Sequence, residues 1–132
     1  MSTSAQYAST PKTAINSIST ANTARNGTGT IANIYTAGSS GSRIERVVVI
    51  AQGTTTAGMV RLFIYDGTTA WLYAEIPVAA ITPSSTVPAF VATLQAFSNP
   101  DLMPLTLPTG YSLRAATNNA ETFNVIAVGG DF

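Results

Sequence analysis

Two short apolar runs, MVRLFIY at residues 59–65 and AWLYAEIPV at residues 70–78, flank the dipeptide Asp66-Gly67. Asp-Gly favours a tight turn because both residues tolerate a positive φ, and the β-branched and aromatic residues around it favour extended chain. This stretch therefore predicts a β-hairpin. Similar turn signals recur roughly every 8–15 residues, which is typical of an antiparallel sandwich or barrel.

The two predicted strands of this hairpin carry apolar residues on both faces. Matching the aliphatic residues across the strands requires a loop of three or five residues, and it places Phe63 opposite Trp71 and Arg61 opposite Tyr73. A sheet with one solvated face would show a polar second face. The other face instead holds the residues that we take as a candidate protein–protein interface: Arg61, Phe63, Tyr65, Trp71, Tyr73 and Glu75. A second core layer within the same chain and a platform for sugar stacking are the alternatives.

The remaining apolar runs complete an all-β fold of about eight strands. We predict an antiparallel β-sandwich of jelly-roll type over residues 13–132, preceded by a flexible N-terminal arm, residues 1–12. Arg43–Gln52 contains Val47-Val48-Val49-Ile50, and this continuous apolarity indicates a strand buried on both faces. The other predicted strands are 14–23 and 30–37, which form a hairpin around Asn26-Gly27, and 90–97, 111–116 and 122–128, with an irregular, proline-rich stretch at 99–108.

The composition argues against several classes of partner. The chain has 6 basic and 6 acidic residues, so its formal net charge is zero and only 9% of its residues are charged. A nucleic-acid binder or a basic membrane-surface module would carry a basic patch, so we expect neither partner. The N-terminal residues do not resemble a secretory signal, and no apolar run approaches the ~20 residues of a membrane span. Low charge favours association, so we expect a homo-oligomer, with a trimer as the expected form.

The sequence offers no set of residues arranged for catalysis. Histidine and cysteine are both absent, which excludes the usual general base, a thiol nucleophile and a Cys/His zinc site. The acids stand singly: we read Asp66 and Asp101 as turn residues and Glu45 as an ion-pair partner of its arginine neighbours. We therefore expect no enzyme activity, no cofactor and no metal.

Four stretches of the sequence resemble small virion proteins of tailed bacteriophages. They are AGSSGSRIERVVVIA at 37–51, GTTTAGMVRLFIYDG at 53–67, YSLRA at 111–115 and ETFNVIAVGGDF at 121–132, within a similarity that covers roughly residues 13–132. The resemblance implies a structural protein of the phage particle, above all a capsid decoration protein that binds the major capsid protein and stabilises the head shell. It carries over no catalytic residues.

Three hypotheses about function follow from these observations. The first is a capsid decoration protein, made in the host cytoplasm and located in the virion. The second is a carbohydrate-binding jelly-roll module, and the third is a tail, fibre or connector component of the particle.

Overall fold

The computed structural model describes residues 8–132, so residues 1–7 of the predicted arm lie outside the described residues. The described chain consists of strands and loops. The nine strands are β1 (Thr10–Ile18), β2 (Ala32–Thr36), β3 (Ser42–Ala51), β4 (Gly58–Tyr65), β5 (Ala70–Val78), β6 (Val91–Gln95), β7 (Leu105–Leu107), β8 (Ser112–Thr117) and β9 (Phe123–Asp131).

The strands form two antiparallel sheets that pack face to face. The five-stranded sheet has the order β1-β9-β3-β6, with the short β7 also paired to β3, and the four-stranded sheet has the order β2-β8-β4-β5. The chain crosses between the sheets at six connections: β1 to β2, β2 to β3, β3 to β4, β5 to β6, β7 to β8 and β8 to β9. With β7 set aside, this is the eight-stranded jelly-roll arrangement of two Greek keys. The predicted antiparallel sandwich is confirmed, and the ninth strand comes from the stretch that we expected to be irregular.

Two parts of the prediction are wrong, namely the end of the N-terminal arm and the first hairpin. Strand β1 begins at Thr10, so residues 10–12 belong to the sheet and not to the arm, and they pair with Gly129–Asp131 of β9. The predicted hairpin around Asn26-Gly27 does not exist, because β1 pairs with β9 whereas β2 pairs with β8 in the other sheet. The Asn-Gly signal is local, and it reports a positive φ, which Gly27 has, without identifying the strand partners.

The hairpin around Asp66 forms from β4 and β5, but its register differs from the prediction. The loop between Tyr65 and Ala70 has four residues, and the register shifts between Leu62 and Phe63. Tyr73 is the extra residue of this β-bulge, so Arg61 pairs with Glu75, Phe63 with Leu72, and Ile64 with Trp71. The predicted register would place Val60 opposite Ala74, whereas the bulge matches Val60 with Ile76, and alternation alone could not locate it.

The core lies between the two sheets and is mainly aliphatic, with Tyr35, Phe90 and Phe123 as buried aromatic residues. Val60 and Leu62 of β4 face Val47 and Val49 of β3 across it, and all four are fully buried. A polar cluster closes one side of the sandwich: the Asp131 carboxylate of β9 accepts hydrogen bonds from the hydroxyls of Tyr35 and Ser42, and it lies 3.6 Å from Nζ of Lys12. Burial raises the pKa of Tyr35 to about 12, while these hydrogen bonds lower the pKa of Asp131. The cluster links both sheets where the chain begins and ends.

Candidate contact surfaces

The outer face of the four-stranded sheet is closed by the chain itself. The connection between β1 and β2, residues 19–31, runs over this face, and we call it the covering segment. Ala21 forms a bridge with Thr117 at one side of the sheet, and at the other side Nε of Arg25 donates a hydrogen bond of 2.9 Å to Oε1 of Glu75 on β5. Phe63, in the middle of the face, is consequently fully buried although it lies outside the core between the sheets.

Asn22 and two glycines give the covering segment its shape. The Asn22 side-chain amide donates to the carbonyls of Thr28 and Thr30, at 2.9 and 3.0 Å, and its oxygen accepts from the backbone N–H of Ala24. A side chain at Gly27 would collide with the Ala70 carbonyl, and one at Gly29 would collide with the Asn22 amide. Glycine therefore permits the close approach of the segment to the sheet.

Arg61 is buried beneath this segment and belongs to a charged network. Its Nε lies 3.4 Å from Oε2 of Glu75, and its Nη1 donates a hydrogen bond of 3.1 Å to Oδ1 of Asn118. Hydrogen bonding from Arg25, with the charges of both arginines, lowers the pKa of Glu75. Arg61 thus holds Glu75 in the sheet, and the hydrogen bond from Arg25 to Glu75 attaches the covering segment.

The predicted aromatic face is not one continuous patch. Phe63 and Arg61 are buried, and Tyr73 is redirected by the bulge so that its ring packs on the core and its hydroxyl donates to the Leu102 carbonyl. Tyr65 is half-buried with the guanidinium of Arg114 stacked 3.8 Å from its ring centre. Of the six predicted residues, only Trp71 and Glu75 lie largely in contact with solvent. The alternative of a second covered layer within the chain accounts for Phe63.

Trp71 is an exposed apolar residue on β5, an edge strand of the four-stranded sheet. Its side chain is 60% exposed, and its indole N–H donates a hydrogen bond of 3.0 Å to Oδ2 of Asp66. The other oxygen of Asp66 accepts the backbone N–H groups of Thr68 and Thr69, and this hydrogen bonding lowers the pKa of Asp66. The indole is therefore held in place on a turn.

Further apolar residues are exposed near the two edge strands. Phe97, which follows β6, is 96% exposed. Strands β5 and β6 are the edges of their respective sheets, and the Tyr73 hydroxyl of β5 donates a hydrogen bond to the Leu102 carbonyl in the loop after β6. We use the name rim for the exposed apolar residues on, between and after β5 and β6: Trp71, Leu72, Val87 and Phe97.

The outer face of the five-stranded sheet has no covering segment among the described residues. The registers place Ile15, Ile126 and Val48 side by side across β1, β9 and β3. Ile50 and Val91 are paired beside this row. We call this surface the open face, and its apolar members are Ile15, Val48, Ile50, Val91, Ile126 and Val128.

The open face corrects the expectation that the Val47–Ile50 strand is buried on both sides. Val47 and Val49 point into the core, whereas Val48 is half-buried and Ile50 is partly exposed. The sequence did carry a signal for this surface, because the residues on both faces of the strand are apolar at 47–50 and at 125–128. We attributed that signal to an interior strand.

Asp66, Glu45 and Glu121 make local hydrogen bonds or ion pairs within the fold. Asp66 caps its turn, Glu45 lies 2.6 Å from Nε of Arg43 as expected, and Glu121 accepts the backbone N–H and the hydroxyl of Thr56. Within residues 8–132 no three acidic side chains are grouped so that they could hold a metal ion. A helix long and apolar enough to cross a membrane is likewise absent from the described part of the chain.

Comparison with solved structures gives a weak likeness. No protein-family model and no curated protein matches the sequence. A chain in the structure of infectious bursal disease virus, Gt strain, aligns with 93% of this chain at 14% identity and a TM-score of 0.34. This chain spans about a third of that one, since the alignment covers 32% of its length. The likeness is to a component of a virus structure and is too low to assign a role.

Proposed function

We propose that this protein is a structural component of a virus particle, and specifically a decoration protein of a tailed-phage head that binds the major capsid protein and stabilises the shell. The observation that carries the proposal is the rim: the sandwich exposes a tryptophan, which Asp66 holds by a hydrogen bond, and a phenylalanine next to its edge strands β5 and β6. Exposed aromatic residues of this kind are enriched at the centres of protein–protein contacts. The resemblance of residues 37–67 and 111–132 to small phage virion proteins supports the same role.

The charge distribution of the chain favours a protein surface as the partner. The rim itself carries no charged side chain, and the nearest carboxylate, Asp66, is engaged by its own turn and by Trp71. Exposed apolar residues without charge, like those of the rim, are suited to contact with another folded protein and not to nucleic acid or a membrane surface. We therefore propose neither of the latter as a partner, and we propose no catalytic activity or cofactor.

A carbohydrate-binding module is the second candidate, and one observation favours it. The indole of Trp71 is held by Asp66 while most of its surface is open to solvent, which is the arrangement that stacks against a sugar ring. In this alternative the protein is a tail or fibre component that binds a surface glycan.

Electron microscopy of purified particles tests the location. Wild-type protein is added to shells that lack it, and the expected result is regular outward density on the head. Density confined to fibres would support the carbohydrate alternative, and absence from the particle would overturn the proposal.

Substitution of Trp71 tests the rim. Trp71→Ala should weaken attachment to shells by at least about thirtyfold, which corresponds to about 2 kcal/mol for a hot-spot residue. The matched control is Ile15→Ala on the open face, where a side chain of similar exposure is removed. Equal attachment by both variants and wild type would contradict the role of the rim, and loss of binding to a glycan array with attachment intact would favour the second candidate.

A further inference from the structure

The open face is a sheet face with an apolar centre, and a face of this kind can pack against a second sheet. Its central row, Ile15–Ile126–Val48, crosses three adjacent strands and is built from β-branched side chains. Such faces are stabilised by a second sheet about 10 Å away whose aliphatic side chains interdigitate with them. The outer face of the opposite sheet differs, because residues 19–31 of the same chain cover it.

From this face we infer that two copies of the chain associate through their open faces, sheet against sheet. The inference goes beyond the proposed function, because it concerns the free protein and holds whatever the particle partner is. The occupant is a second copy because sheet-on-sheet packing needs a flat aliphatic β-surface, and among the described residues the chain offers that surface only here. An isologous contact places the same apolar row on both sides.

The charges on this face permit such a contact. The only charged residues that the strands place there are Arg43, Glu45 and Arg46, all at one end, where a bulge in β3 puts Glu45 and Arg46 on the same side. The centre and the other end carry Ile, Val, Thr, Ser, Asn and Gln. With 6 basic and 6 acidic residues in the whole chain, two copies do not repel each other through net charge.

The size of the face indicates how tight the contact is. Four strands at a spacing of about 4.8 Å and six to nine residues at about 3.3 Å each give roughly 400–600 Å² per copy. The pair would bury roughly 800–1,200 Å², the small end of specific interfaces. We therefore expect a monomer–dimer equilibrium that depends on concentration, with dissociation at roughly micromolar protein.

Analytical ultracentrifugation of the free protein, from about 1 μM to 1 mM, measures this equilibrium. Wild-type protein should shift from monomer to dimer, and Ile126→Glu should raise the dissociation constant at least tenfold. Ile15→Glu is a second variant, and it should fold because its site is 63% exposed. Trp71→Glu, at a site of 60% exposure on the rim, is the control and should dimerise as wild type. A wild-type monomer at 1 mM, or a dimer unaffected by both open-face variants, would overturn the inference.

Cross-linking identifies the face directly, since the chain has no cysteine. Val48→Cys, treated with a short bis-maleimide, should give covalent dimers, whereas Leu72→Cys on the rim should not. Open-face variants that stay monomeric like the wild type but lose attachment to shells would show that the particle, and not a second copy, occupies this face. Loss of attachment in Trp71→Ala with dimerisation intact would separate the two contacts.

Discussion

The two sheets of this sandwich share an architecture but differ in how their outer faces are treated. The four-stranded sheet is covered by residues 19–31, so Phe63 on its outer face is as buried as a core residue. The five-stranded sheet keeps its outer face open, so Ile15 and Ile50 remain in contact with solvent. Apolar residues on both faces of a strand therefore have two different explanations in one small protein. In one sheet the second layer is part of the chain, and in the other we propose that a second copy supplies it.

Truncation of one apolar residue on each outer face tests the difference between the covered and the open sheet. Phe63→Ala should lower the free energy of unfolding by about 3–5 kcal/mol, because the site is fully packed beneath the covering segment. Ile15→Ala should cost less than about 1 kcal/mol, since the side chain is largely exposed. Urea denaturation of the monomer, at low protein concentration, measures both.

Leu62→Ala provides the reference for a residue between the sheets, and it should cost about 2–5 kcal/mol. If Phe63→Ala costs no more than Ile15→Ala, the covering segment does not pack on the sheet as described.

The hydrogen bonds that shape the covering segment are the second target. Asn22→Ala leaves the carbonyls of Thr28 and Thr30 without their donor, and it should cost about 1–3 kcal/mol. Asn16→Ala is the matched control, because this exposed side chain also donates to one backbone carbonyl, that of Asn33, and should cost about 1 kcal/mol or less. Thermal unfolding of the two variants compares them, and a larger loss for Asn16→Ala would contradict the role of Asn22.

The charged attachment of the segment predicts a small dependence of stability on pH. The pKa of Glu75 is lowered from its ordinary value of 4.5, chiefly by the hydrogen bond from Arg25. This contribution to stability is complete above about pH 4.5 and is lost as the pH falls through the lowered pKa of the folded state. Unfolding followed from pH 6 to 2 should show a weaker acid destabilisation in Glu75→Gln than in wild type. An identical slope in both proteins would show that the ion pair contributes nothing.

Much of this fold could be predicted from the sequence, because strand positions depend on local signals. Asp66-Gly67 marks its hairpin correctly, and the alternation in 59–65 separates core residues such as Val60 and Leu62 from Arg61 and Phe63. The partners of β1 and β2 could not be predicted, since pairing with strands that lie far along the chain, β9 and β8, leaves no local trace. The bulge at Tyr73 was equally hidden, because one extra residue changes the facing of every residue beyond it.

The candidate site was harder to predict for the same reason. The sequence identified Trp71 as an interface residue, but it grouped Trp71 with Phe63 and Arg61, which the chain covers with a segment of small and polar residues. The composition of residues 19–31 gives no sign that they lie on a sheet. The open face, in contrast, left a signal in the continuous apolar run Val47–Ile50. Only the structure, which shows no second layer over this face among the described residues, identifies it as a surface.

The account depends most directly on Trp71 being open in the free protein and covered on the particle. Trp71 is the only tryptophan of the chain, so its emission reports this one site. The protein can be prepared with 5-hydroxytryptophan, whose emission is separate from that of shell proteins, and quenched with acrylamide before and after addition of shells. We predict strong quenching in the free protein and at least a threefold lower quenching constant on shells. Weak quenching in the free protein, or equal quenching with and without bound shells, would contradict the account.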